Sequence, residues 1–357
     1  MKKLKYLLIC LMIILCGCSN NQTVDKEVKK VKEEVKPFEE DTCYKYHYQH
    51  LTKSQKKLYQ ELFNIFMNLE TSGKVSNKNM RDVQIVHDAL LNDHPELFFI
   101  ETELIYDDYR VEPEYSFKKK EIQQYRKEIE QAKEDILKGL PEGDQYEQMK
   151  YLYDYVIESV HYDENSEYNQ LLISSLINKN TVCTGYAKMI QYLYQEIGIN
   201  TTEIIGGSFD ENNLLQRHAW NMIEYNNDYY YVDATWGDQE DEERNMALYE
   251  YFIFSSEDMI KLYTPEVNYE NTTNTDNTYF IKNNLYYTNY NTSSLANAVN
   301  KDEKIFQVRF SNDIYDYAKN RIANTNDPFR ILSKAGVDVE YINYWYDDNF
   351  QVIRMTW

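Results

Sequence analysis

One cysteine of this sequence lies where its thiol can act as a nucleophile. Residues 181–187 read TVCTGYA, and apolar side chains at helical spacing follow them, so we predict that a helix begins at Cys183. The backbone N–H groups and the dipole at the start of a helix stabilise an anion, which favours the reactive thiolate. Gly185 lets neighbouring backbone approach closely. Cys183 is therefore the candidate nucleophile.

A nucleophilic thiol also needs a base and a group that orients the base. We predict a β-hairpin over residues 218–234 with its turn around Asn226 and Asn227. A two-residue type I′ turn would place His218 diagonal to Asp233, and a four-residue loop would place them directly opposite. A three-residue loop would separate them. Two of the three registers therefore permit a histidine–carboxylate pair.

These segments together resemble the transglutaminase-like superfamily. The resemblance rests on three motifs: VCTGYA at 182–187, HAWN at 218–221 and YVDATW at 231–236. Their order, spacing and flanking aromatic residues agree across residues 144–260. The nearest similarity is to exported bacterial members whose core is of the papain-like type. The resemblance implies an α+β fold.

The resemblance also implies roles for individual residues. Cys183 would attack a carboxamide or peptide carbonyl, His218 would carry the proton, and Asp233 would fix the imidazole tautomer. The N–H of Cys183 and the side chain of Gln170 would hold the oxyanion. A thioester would form, and water or a lysine amine would resolve it. No bound cofactor is required.

Other residues near these motifs leave alternatives open. Ser174 stands where many relatives have Gly or another small residue, and Leu171 where Ser is common, which places the oxyanion role of Gln170 in question. Trp220 and Trp236 could line the substrate cleft or pack in the core. Cys183, His218 and Asp233 are also compatible with a zinc site.

The remaining chain is predicted to divide around this core. Residues 43–140 are expected to be a helix-rich N-terminal region, with a capped helix starting after Thr52. Residues 141–268 form the expected transglutaminase-like core, which opens on a helix capped by Asp144. Residues 264–278 suggest a polar linker. Residues 269–357 are expected to be a small α+β domain that begins with a hairpin over 279–288.

The first residues resemble a bacterial lipoprotein signal. MKKLK precedes an apolar stretch over 6–15 that is too short to span a bilayer, and LCGC follows it. The similarity to a lipobox implies cleavage after residue 17 and lipid on Cys18, with an ordinary signal peptide as the alternative. Residues 18–42 would be a charged tether. The protein is then expected on the outer face of the cell membrane.

Composition limits the classes of protein and partner. The chain has 357 residues and a net charge of −21, so nucleic acid is a poor partner. The hydrophobic share of 43% is enough for a buried core. Cys43 and Cys183 would remain in the exported protein, as a disulfide or as free thiols. Cys43, His47 and His50 could bind a metal, although a packed strand edge is the simpler interpretation.

The sequence therefore predicts a surface-tethered cysteine enzyme. It would cleave or transfer amide acyl groups of proteins or cell-wall peptides, with hydrolysis favoured over cross-linking. The alternative is a non-catalytic lipoprotein that uses the same fold to bind wall peptide or a protein partner.

Overall fold

The computed structural model describes residues 45–357 except 78, 108, 210–213 and 242–243. The predicted signal peptide, the lipidation site Cys18, the tether and Cys43 lie outside the described residues. No helix in the described part is long and apolar enough to cross a membrane. The described residues all belong to one contact unit, Pro37–Trp357.

The N-terminal part combines helices with a small sheet. The helices are α1 Tyr46–Gln49, α2 Lys53–Met67, α3 Met80–Asp93 and α4 Lys119–Leu137, and the antiparallel strands are β1 Gly73–Lys74, β2 Ile100–Asp107 and β3 Arg110–Tyr115, in the order β1-β3-β2. The predicted cap is confirmed, because Thr52 accepts from the Gln55 N–H and the Gln55 side chain accepts from the Thr52 N–H.

The histidines before α2 are not on a strand edge. His47 lies within α1 and His50 directly after it, where Asp93 accepts hydrogen bonds from the N–H groups of His47 and Tyr48. The strand-edge prediction is wrong because this buried carboxylate, distant in sequence, caps the short helix. His47 Nε2 lies 3.0 Å from Thr202 Oγ1, which ties α1 to a later strand.

The central part holds the sequence motifs. Its elements are α5 Gln145–Ser159, β4 His161–Tyr162, α6 Leu172–Leu176, β5 Asn180–Thr181, α7 Cys183–Glu196, β6 Asn200–Phe209, β7 Leu215–Tyr225, β8 Asp228–Val232, α8 Ala234–Gly237, β9 Asp238–Asp241, β10 Arg244–Ala247, α9 Ser256–Leu262 and β11 Tyr263–Pro265. Asp144 caps α5 as predicted, because its side chain accepts from the Glu147 N–H. The main sheet is antiparallel in the order β11-β6-β7-β8.

The two faces of this sheet pack into different cores. Ile223, Tyr230 and Val232 pack in one core with the buried side chains of α5 and α7. Trp220 and Tyr231, at alternate positions on the same strands, pack in a second core with residues of α9 and β11. The catalytic candidates therefore lie where a helix start meets a strand pair buried on both faces.

The turn of the β7–β8 hairpin has two residues. Tyr225 pairs with Asp228, and Asn226 and Asn227 both have positive φ, 54° and 62°. These values fit a type I′ turn, which asparagine tolerates well. The structure thus selects the diagonal arrangement of His218 and Asp233.

The C-terminal part has its own hydrophobic core. It contains α10 Tyr279–Lys282, β12 Tyr286–Tyr287, α11 Thr292–Ala298, β13 Ile305–Phe310, α12 Asn312–Asn324, α13 Asp327–Lys334, β14 Asn343–Asp347 and β15 Val352–Thr356, with sheet order β12-β13-β15-β14. Arg309 on β13 forms two 2.7 Å hydrogen bonds to Asp258 on α9, which join this sheet to the central part.

Two local predictions in this part are wrong. Residues 279–288 are not a hairpin, because α10 stacks the Tyr279 ring on Tyr249 at 4.1 Å and β12 pairs in parallel with β13. Residues 264–278 are not a free linker, because β11 pairs with β6 and Thr272 Oγ1 donates to Asp228. Both errors arise from contacts that are distant in sequence.

Candidate active site

Cys183 is the first residue of α7, as predicted. Cys183 is partly exposed, and its thiol is free. Val182 occupies the N-cap position without a side-chain cap. The start of a 14-residue helix therefore presents backbone N–H groups beside the sulfur, which suits an anion there.

Gly185 allows the first turn of α7 to approach the chain that precedes it closely. A Cβ atom at this position would overlap Thr181 Oγ1. That hydroxyl cannot easily move, because it lies 2.6 Å from Ser174 Oγ and donates to the Asn169 carbonyl at 2.7 Å. Glycine is thus required by a close approach between the chain before α7 and its first turn.

The side chains of His218 and Asp233 form a buried pair. His218 Nε2 lies 2.7 Å from Asp233 Oδ2, and Asp233 has no exposed surface. The other carboxylate oxygen, Oδ1, accepts from the N–H groups of Thr235 and Trp236, both at 3.0 Å. Asp233 therefore caps α8 and orients His218 with the same carboxylate.

The charge of His218 depends on its two neighbours. Burial alone would lower its pKa, but the Asp233 charge and hydrogen bonds to Asp233 and Cys183 outweigh burial and raise the pKa to about 9. The protonated form of the imidazole is therefore favoured at neutral pH, and the interaction with Cys183 is one of its causes. The structure therefore pairs His218 with Asp233, and Cys183 acts on the pKa of the same imidazole.

Aromatic rings surround the imidazole. The two tryptophans that the sequence places in the cleft or the core have different environments. Trp220 stacks near-parallel to His218 with 6.0 Å between ring centroids, but it is fully buried in the second core. Of the two alternatives for Trp220, the structure therefore shows packing in the core, because its strand position faces that core. Trp236 lies 5.6 Å from His218, is partly exposed, and donates to Ser208 Oγ.

Gln170 lies just before α6 with an exposed side chain. Its main-chain carbonyl accepts a 2.9 Å hydrogen bond from Lys188 Nζ on α7. This bond holds the backbone of Gln170 next to the catalytic helix.

Two tyrosines of the site were not found from the sequence. Tyr263 donates a 2.8 Å hydrogen bond to Asp233 Oδ2 from a strand that sequence pattern did not predict. Tyr162 is about half exposed, and burial and then the Cys183 charge raise its pKa. Its strand pairs with β5 two residues before Cys183, which brings it to the same end of α7. The described residues contain no cluster of three or more His, Cys, Asp or Glu side chains suited to a metal ion.

Comparison with known proteins agrees with this geometry. Residues 134–234 match the transglutaminase-like superfamily. No curated protein matches the chain. Among solved structures, a candidate cysteine protease from Cytophaga hutchinsonii is 19% identical over 31% of this chain, with a TM-score of 0.26. A protein described as a TGase is 12% identical over 52% of this chain, with a TM-score of 0.29. The matches cover 38% and 50% of those two chains. Residues 134–234, which carry Cys183, His218 and Asp233, are therefore similar to the transglutaminase-like superfamily.

Proposed function

We propose that this protein is a cysteine enzyme that cleaves amide bonds of proteins or cell-wall peptides through a thioester on Cys183. The single observation that carries the proposal is the position of His218, which bonds Asp233 at 2.7 Å and whose pKa is raised by Cys183 as well as by Asp233. That arrangement supplies a nucleophile, a proton carrier and an orienting carboxylate.

The first half of the reaction makes the thioester. Nε2 of His218 is hydrogen-bonded to Asp233. The other ring nitrogen, Nδ1, is therefore the one that exchanges a proton with the Cys183 thiol. In the resting enzyme the Cys183 thiol proton has passed to His218, and the resulting thiolate attacks the amide carbon. The oxyanion is held by the Cys183 N–H and the Gln170 side chain. The C–N bond then breaks, and the His218 imidazolium gives its proton to the departing nitrogen.

The second half of the reaction releases the acyl group. His218 is now neutral, and it takes a proton from a water molecule that attacks the thioester carbon. The C–S bond breaks and the carboxylic acid leaves. We favour hydrolysis over transfer to a lysine amine because water is always present at a partly exposed sulfur.

Trapping of the acyl-enzyme tests this proposal. Purified protein is mixed with a p-nitrophenyl ester, and the product is examined by intact mass and peptide mapping. We expect one acyl group on Cys183, none at this position in Cys183→Ala, and a rate roughly 10²–10⁴-fold lower in His218→Ala. Acylation that is equal in all three proteins would overturn the proposal and favour a binding role.

A second assay separates hydrolysis from cross-linking. A glutamine-containing peptide is incubated with the protein, with and without an excess of a primary amine, and products are separated by mass. We expect deamidated or cleaved peptide under both conditions. Incorporation of the amine as the main product would instead establish transfer. Cys183→Ala controls for contaminating activity.

We further propose that lipid on Cys18 tethers the protein to the outer face of the membrane. The support is the resemblance of LCGC at residues 15–18 to a lipobox. Expression with a labelled fatty acid, followed by membrane fractionation, tests it. We expect label and membrane association that Cys18→Ala abolishes, and equal fractionation of both proteins would contradict the proposal.

A further inference from the structure

Asp233 Oδ2 accepts two hydrogen bonds rather than one. One comes from His218 Nε2 at 2.7 Å and the other from Tyr263 Oη at 2.8 Å. Both bonds end on the same oxygen, so the two donors share its negative charge. The strength with which Asp233 holds the imidazole therefore depends on Tyr263.

The environment of Tyr263 keeps its hydroxyl protonated and fixed. The side chain is 2% exposed, and its ring packs 4.8 Å from Trp220 and 5.7 Å from Phe254. Burial, and then the Asp233 charge, hold the pKa of Tyr263 well above 10. The phenol can thus act only as a donor to the carboxylate over the range in which enzymes work.

The strand that carries Tyr263 lies outside the matched domain, which ends at residue 234. Tyr263 pairs with Ser208 and Pro265 pairs with Gly206 across the β11–β6 edge. Gly206 also pairs with His218 on its other side. A Cβ atom at Gly206 would overlap the Thr264 carbonyl, so this glycine allows β11 to approach and deliver the phenol.

We propose that Tyr263 is a positioning residue of the catalytic site, and that the catalytic unit extends beyond the transglutaminase-like match to strand β11. The phenol fixes the Asp233 carboxylate and weakens the hydrogen bond between Asp233 and His218. The imidazole can then release its proton to the departing nitrogen and act as a base in the second half of the reaction. This inference rests on the proposed function.

The charged and titratable groups around the pair are few and identifiable. His218 faces Asp233 and Cys183, which raise its pKa. Burial, with a smaller contribution from the Asp233 charge, holds the pKa values of two further tyrosines, Tyr153 and Tyr251, well above 10. Since these phenols stay neutral, a change in the proton affinity of His218 on removing the Tyr263 hydroxyl reports on the Tyr263–Asp233 bond.

The test compares Tyr263→Phe with a matched control, Tyr231→Phe. Tyr231 is equally buried in the same core, but its hydroxyl donates to the Glu270 carbonyl instead of the site. The pKa of His218 is measured by NMR of its ring proton, which requires no substrate. We expect it to rise by about one unit in Tyr263→Phe, the equivalent of one charge-assisted hydrogen bond, and to stay unchanged in the control.

The kinetic readout is hydrolysis of the Cys183 thioester against pH. We expect the midpoint of its rise to move to higher pH by the same amount in Tyr263→Phe only. Equal His218 pKa values in wild type and Tyr263→Phe, or equal shifts in both variants, would overturn the inference. If no thioester forms in wild type, the proposed function fails while the NMR result still decides the role of Tyr263.

A second variant tests the same inference if Tyr263→Phe does not fold. Gly206→Ala should displace β11 and reproduce the His218 shift, and the double variant with Tyr263→Phe should add nothing further. Circular dichroism and thermal melting establish which proteins are folded. Additive shifts in the double variant would contradict a common path through the Tyr263 hydroxyl.

Discussion

The substitution Asp233→Asn removes the carboxylate charge while keeping most of the shape of the site. Asparagine is as good an N-cap as aspartate, so its Oδ1 can still accept from the N–H groups of Thr235 and Trp236. What is lost is the negative charge next to His218. The variant therefore isolates the electrostatic contribution of the pair.

The size of the effect follows from the pKa of His218. In the wild type, burial lowers this pKa but Asp233 and Cys183 raise it to about 9. Without the Asp233 charge, burial dominates and the pKa falls below its ordinary value of 6.5. A drop of more than two units corresponds to about 3 kcal/mol at the least. We also expect the rate of thioester formation to fall roughly 10³–10⁴-fold.

The two proteins should differ in the pH dependence of stability. The wild-type pKa is raised on folding, so His218 contributes its full stabilisation below about pH 6.5 and loses it as the pH rises through about 9. In Asp233→Asn the pKa is depressed on folding, so stability is instead lost as the pH falls below 6.5. The sign of the slope contributed by His218 thus reverses between the two proteins.

The assay is urea unfolding at intervals from pH 5 to pH 10, with NMR titration of the His218 ring proton in the same samples. Differences between the two proteins cancel the other titrating groups. A His218 pKa that is unchanged by Asp233→Asn would refute the reasoning, as would parallel stability curves for the two proteins.

Three further substitutions test the framework around the site. Gly185→Ala should cost about 2 kcal/mol of unfolding free energy, since the overlap at that position outweighs a helix-propensity gain of about 1 kcal/mol, and a more stable variant in urea unfolding would contradict this. Trp220→Ala should cost roughly 3–5 kcal/mol because the side chain is fully buried, and a small change in thermal melting would show that it is not core. Arg309→Met should cost about 3 kcal/mol by leaving the buried Asp258 carboxylate with Lys261 and the Ser255 hydroxyl as partners, and adding Asp258→Asn should recover part of that loss in urea unfolding.

The features that the sequence predicted correctly are local ones. Asp144 caps its helix because an N-cap needs only the next three residues. The predicted turn around Asn226 and Asn227 is confirmed, and their positive φ angles select the two-residue register from the three that the sequence permits. From that register the diagonal placement of His218 and Asp233 follows by strand alternation alone.

The features that the sequence could not supply depend on long-range packing. Tyr263 lies 30 residues after Asp233 in a three-residue strand, and only pairing with β6 brings it to the carboxylate. For Trp220 the sequence permits both cleft and core, because strand alternation assigns a side chain to one face of the sheet but does not show what covers that face. The hairpin predicted over 279–288 failed because a stacking partner, Tyr249, holds that segment as a helix.

The central claim is that His218 activates Cys183, and alkylation of Cys183 tests it most directly. Wild type and His218→Ala are treated with iodoacetamide at a series of pH values, and modification of Cys183 is followed by peptide mapping. The account predicts that at neutral pH His218→Ala reacts at least about tenfold more slowly than wild type. Identical rates across the series would mean that the imidazole has no influence on the thiol, and the proposed mechanism would be wrong.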